Sequence, residues 1–142
     1  MRVKRIAAIV SGLILVLALA AAAVLFYRPL PLVGQESVSV IRIELGDRDV
    51  TGQVDEGALL ELLGQAEYRR TLFPQGGFYY EVTDDLVVIS LHREQASQIF
   101  LSPRSQTVYC GHISIDGTLH VWNNPILEGE RLYQQVTELL AE

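Results

Sequence analysis

Thr107-Val108-Tyr109-Cys110-Gly111-His112-Ile113-Ser114-Ile115-Asp116-Gly117-Thr118-Leu119-His120-Val121-Trp122 is the stretch on which the fold turns. β-Branched and aromatic residues alternate on both sides of Asp116-Gly117, the pattern of two strands joined by a tight turn. Two registers compete. A two-residue Asp-Gly loop pairs Ile115 with Thr118 and sends His112 and His120 to opposite faces. A three-residue loop, with Gly117 left-handed, pairs Ser114 with Thr118 and His112 with His120. The second register also gathers Ile113, Leu119 and Val121 on one face, so the hydrophobic pattern selects it.

Upstream, the same alternation predicts strands over Tyr68–Phe73, Phe78–Val82, Leu86–His92 and Gln98–Ser102. Turns fall at Pro74–Gly77, Thr83–Asp85 and Pro103–Ser105. Connections this short favour antiparallel neighbours. A first strand over Ser37–Leu45 ends in the turn Gly46-Asp47-Arg48-Asp49. Asp55 then reads as an N-cap, Val54 and Leu59 as a hydrophobic staple, and Leu59, Leu60 and Leu63 as the buried face of a short helix stopped by Gly64. At the other end Asn124 and Pro125 read as the cap and first residue of a last helix. Its apolar stripe is Leu132, Tyr133, Val136, Leu139 and Leu140. The expected fold is α+β, β-α-β-meander-α: a mostly antiparallel sheet covered on one face by two helices, forming a small two-layer domain.

In front of this domain lies Ile6–Tyr27, an uncharged run of Ala, Leu, Ile and Val broken only by Ser11 and Gly12. As a helix it is about 33 Å long, against a hydrocarbon core of roughly 30 Å. The expected organisation is a basic cytoplasmic tail (1–5), a transmembrane helix acting as signal anchor (6–27), a Pro-containing linker (28–34) and an exported domain (35–142). Arg2, Lys4 and Arg5 on one side, against Arg28 alone on the other, place the N-terminus in the cytoplasm and the domain outside it. Cleavage after Ala18-Leu19-Ala20, releasing a secreted protein, is the alternative. The apolar run continues to Tyr27, which favours the anchor, and either route exports the domain. Such an arrangement is common in bacteria.

Beyond Tyr27 the chain carries all 17 acidic residues and eight arginines. A surface that acidic repels phosphate backbones, which excludes nucleic acid as a partner. A lone cysteine, Cys110, excludes an internal disulfide framework.

Candidate chemistry is sparse. In the three-residue register His112 and His120 face each other with Cys110 beside them. Two opposed imidazoles with a thiol beside them are the start of a transition-metal site, but no fourth ligand stands nearby. Asp47/Asp49 and Asp84/Asp85 sit in turns, where Asp serves the backbone rather than acid–base chemistry. No nucleophile elbow or phosphate-binding glycine loop occurs, and no cofactor is called for. The densest feature is Tyr68 to Tyr80, which holds five of the domain's nine aromatic residues and its only Arg-Arg pair. Tyr, Phe and Arg anchor interfaces at low entropic cost. Arg69, Arg70, Phe78, Tyr79 and Tyr80 are therefore the candidate binding residues. These features point to a non-enzymatic binding or accessory module, anchored in the lipid bilayer, for a membrane-proximal protein or small ligand. The alternatives are a small hydrolase-like envelope enzyme and a metal-responsive sensor using His112 and His120.

Overall fold

The computed structural model describes residues 1–34, 36–74, 80–93 and 97–142. It opens with α1 (Arg2–Tyr27), a helix of 26 residues with no buried side chain, long and apolar enough to cross a membrane. The domain behind it contains β1 (Leu30–Pro31), β2 (Ser39–Leu45), β3 (Arg48–Asp49), a 3₁₀ turn (Thr51–Gln53), α2 (Glu56–Gly64), β4 (Glu67–Tyr68), β5 (Val87–His92), β6 (Ser97–Leu101), β7 (Gln106–Ile113), β8 (Leu119–Pro125) and α3 (Gly129–Ala141). It is an α+β fold. Six strands form one antiparallel sheet in the order β3-β2-β5-β6-β7-β8, and β1 pairs with β4 in a separate two-stranded ladder.

Alternation along the strands sorts the sheet into two faces. On one, Ile43, Val87, Ile89, Leu91, Ile99, Leu101 and Val108 pack against Leu59 and Leu63 of α2 and Leu132 and Val136 of α3. Both helices thus cover the same face, as the apolar stripes require. The opposite face holds a smaller cluster, Leu86, Val88, Phe100, Tyr109 and Val121. There Tyr80 lies over Phe100, ring centroids 4.4 Å apart.

The β7–β8 hairpin adopts the three-residue register. His112 pairs with His120 and Ile113 with Leu119. Ser114 N donates to Thr118 O, and Gly117 sits at φ +84°. Asp55 caps α2 by accepting from Ala58 N at 2.9 Å.

Four local signals are overridden. Asn124 and Pro125 do not start α3. β8 runs through both, with Thr107 paired to Pro125 and Val108 to Asn124. Ile126 N and Leu127 N donate to Gln106 O and Glu67 O, holding the chain extended until Glu128 turns it at φ 49° into α3. Pro125 is tolerated because β8 is an edge strand. Gly64 is the last residue of α2 rather than a left-handed stop, and Gln65 follows in a right-handed conformation. The strand expected over Tyr68–Phe73 stops at Tyr68, since beyond it Arg69 to Phe73 meet no ladder partner. Of the strand expected over Phe78–Val82, Phe78 and Tyr79 lie outside the described residues, and Tyr80 to Val82 are irregular.

The proline segment after α1 is packed. Leu30 and Pro31 pair with Tyr68 and Glu67. Leu32 is completely buried, donates its N–H to Ala66 O at 2.8 Å, and accepts from Arg93 Nη1 at 2.8 Å. Only Arg28 and Pro29 separate α1 from this anchored strand.

Candidate functional site

Where α1 meets the domain, four pieces of chain converge: the last turn of α1, the segment after β4, and strands β7 and β8. Their side chains line an open cleft of about 380 Å³, walled by Phe26, Tyr68, Arg70, Leu72, Cys110, His112 and Trp122, with Thr71 and Asn124 at its base.

Arg70 organises this junction. The last carbonyls of any helix lack intrahelical donors. Arg70 Nε donates to Phe26 O at 3.2 Å, and Arg70 Nη2 to Leu25 O at 3.3 Å. Its guanidinium also lies over the Phe26 ring, 4.7 Å from the centroid. A cation at a helix C-terminus complements the macrodipole as well. Arg70 therefore turns inward, onto its own chain, and fastens α1 to the domain.

Asn124, read from sequence as a helix cap, is the second clamp. It is only 3% exposed. Its Oδ1 accepts from Thr71 N at 2.9 Å and from Thr71 Oγ1 at 3.3 Å, while Thr71 Oγ1 also reaches Asn123 O at 3.4 Å. Arg69 N donates to Pro125 O. These bonds pin residues 69–71 along β8 without a regular ladder. The Arg69 side chain is left exposed.

The remaining candidates are dispersed. Tyr80 sits on the other face of the sheet, 47% exposed, at the rim of a second cleft of about 510 Å³ that also includes Phe100, Arg104 and Tyr109. Arg69, Arg70 and Tyr80 thus do not form one surface. His112 and His120 face each other as the register requires, and the His120 ring lies 6.1 Å from that of Trp122. Cys110 stands on the same face, and burial pushes its thiol pKa up, the direction of an unreactive thiol. Among the described residues no group of three or more His, Cys, Asp or Glu converges on a metal position.

No family, curated protein or solved structure matches this chain. The site has to be read from its own geometry.

Sequence reasoning missed Phe26, Trp122 and Asn124 as site residues. Phe26 reads as the end of an apolar run and Asn124 as a cap. What joins them is the pairing of Leu30 with Tyr68 and of Tyr68 with Ile126, two long-range contacts with no local signature. The alternation that put His112 opposite His120 also puts Trp122 opposite Cys110, so that signal was present.

Proposed function

We propose that this chain is a single-pass membrane protein, N-terminus cytoplasmic, whose extracytoplasmic domain is a non-enzymatic binding module working at the membrane surface. Its binding site is the cleft between the end of α1 and the β7–β8 hairpin. The observation that carries this reading is the pair of hydrogen bonds that Arg70 donates to the carbonyls of Leu25 and Phe26. A domain hung on a flexible spacer needs no such fastening, and one that must present a surface at a set height above a bilayer does. The cleft is mainly apolar, with a guanidinium and an imidazole at its edge, a lining suited to an apolar segment of a membrane-proximal partner that carries a carboxylate or phosphate.

Two measurements test this. A C-terminal reporter active only outside the cytoplasm establishes the orientation, and activity only in the cytosol refutes it. A photocrosslinker at His112, exposed on the cleft wall, is expected to capture a partner in native membranes. The same crosslinker at Ile41, 59% exposed on β2, is expected to capture none. Equal labelling from both positions removes the cleft as the site.

A further inference from the structure

Five large apolar side chains stand in water at the α1 end of the domain: Leu72 (54% exposed) and Phe73 (75%) after β4, and Ile113 (66%), Ile115 (109%) and Leu119 (50%) at the tip of the β7–β8 hairpin. Exposed apolar residues in such number on one end of a small acidic domain ask for a partner.

The strand directions say where this end points. β1 runs antiparallel to β4, and β4 runs antiparallel to the chain leaving β8 at the Tyr68–Ile126 bridge. β1 and β8 therefore run the same way. The start of β1 is the exit of α1, so the start of β8, which is the hairpin tip, lies on that same side. His112, the last cleft residue before the tip, shares the cleft with Phe26 of α1. Residues 1–25 of α1 are all exposed, so the helix projects clear of the domain. The connection leaves no slack: Arg28 and Pro29 alone separate α1 from β1, and Arg70 holds the helix end.

We propose that the β7–β8 hairpin tip and the Leu72-Phe73 segment insert shallowly into the bilayer that α1 spans, giving the domain a second membrane contact beside its anchor. This rests on the membrane-anchored reading above. The bilayer, rather than a second protein, is the occupant because Leu72 lines the same cleft as Phe26 at the end of the spanning helix, and the hairpin tip lies on that side of the domain. The tip is also suited to the headgroup region in its polar groups. Asp116 accepts from Ser114 Oγ and, at 3.0 Å, from Thr118 N, and Ser114 N is bonded to Thr118 O. The turn thus brings its backbone largely satisfied, while the exposed Asp116 carboxylate keeps it from sinking below the headgroups. Arg28, exposed directly after α1, lies at the same end, where anionic headgroups meet cations.

The test uses the full chain in lipid nanodiscs. Trp122 is the only tryptophan, so Trp122→Phe provides a silent background for single reporters. Leu17→Trp, read with lipids brominated near the methyl end of their chains, reports the middle of α1, Ile115→Trp the hairpin tip, and Arg104→Trp the turn at the opposite end of the sheet. With lipids brominated near the headgroup end of their chains, the reporter at 115 is expected to lose more than about half its emission, as a side chain roughly 5–10 Å into the interface does. The reporter at 104 is expected to lose none. Quenching at 17 without quenching at 115 overturns the insertion and leaves the anchor standing, whereas quenching at neither overturns both. Protection of 115 from aqueous iodide without quenching by bromolipid also overturns it, in favour of a second copy or a protein covering the tip. A measurement on the unsubstituted chain covers misfolding of the background. Spin-labelled lipid is expected to broaden the backbone amide signals of Phe73, Ile115 and Leu119 and to leave those of Asp47 and Asp84 sharp. Uniform broadening, or none, overturns the proposal.

Discussion

Replacing Arg70 with Ala is the most direct probe of how the long helix and the domain are joined. The structure gives three contacts to lose: two hydrogen bonds to helix-terminal carbonyls, at 3.2 and 3.3 Å, and a guanidinium 4.7 Å above the Phe26 ring. In a half-exposed setting each bond contributes about 0.5–1 kcal/mol net. The ring contact adds about 0.5–1 kcal/mol. The favourable placement at the helix C-terminus is already contained in the two bonds and is not counted again. Arg70→Ala should therefore destabilise the domain by about 1.5–3 kcal/mol. The assay is urea unfolding of the full chain in detergent micelles, where α1 stays helical and unfolding of the domain breaks the junction. Trp122 fluorescence reports it, since Trp122 lines the same cleft. A double-mutant cycle with Phe26→Leu should return a coupling of about 0.5–1 kcal/mol. A loss below about 0.3 kcal/mol with zero coupling would refute the claim that Arg70 fastens α1 to the domain.

Three further outcomes follow from single sites. Ile89→Ala, at a completely buried position in the central sheet, should cost about 2–5 kcal/mol in the same unfolding experiment. Gly129→Ala should destabilise by about 1–2 kcal/mol although alanine favours helices, because the added Cβ falls 2.5 Å from Gln106 Cβ, a carbon fixed to the β7 backbone; a stabilised variant, read from the urea midpoint, would show that β7 yields there. Asp116, held to a pKa of about 2 chiefly by the Ser114 hydroxyl and then by Thr118 N–H, should titrate well below the ordinary 3.8 in carboxyl NMR. Its folded pKa is the depressed one, so its contribution is present above about pH 4, is lost as pH falls through 2, and is absent in Asp116→Asn.

Much of the architecture is legible in local pattern. The alternation on either side of Asp116-Gly117 is enough to choose the hairpin register, because the rival register scatters Ile113, Leu119 and Val121 between faces. The leucines after Asp55 and the stripe from Leu132 to Leu140 mark two helices that need the same sheet face. The candidate site was harder. Arg69, Arg70 and Tyr80 are close in sequence yet separate in the fold: Arg70 turns to α1, Arg69 to solvent and Tyr80 to the opposite side of the sheet. Asn124-Pro125 shows the same limit from another side. It is a good helix start by local chemistry, but the pairing of β8 with β7 and the two amide bonds that follow hold it extended.

What the amino-acid order determined by itself is therefore periodic: an apolar helix in front, then strands and helices whose hydrophobic spacing of two or three-to-four residues assigns each side chain to a face. What only the tertiary structure decided is aperiodic. The bonds of buried Leu32 to Ala66 and Arg93, the capture of Thr71 by Asn124 and the reach of Arg70 to the end of α1 each join residues 34 or more positions apart. Such contacts leave no trace in local spacing, because their free energy comes from groups that meet only after the sheet has formed.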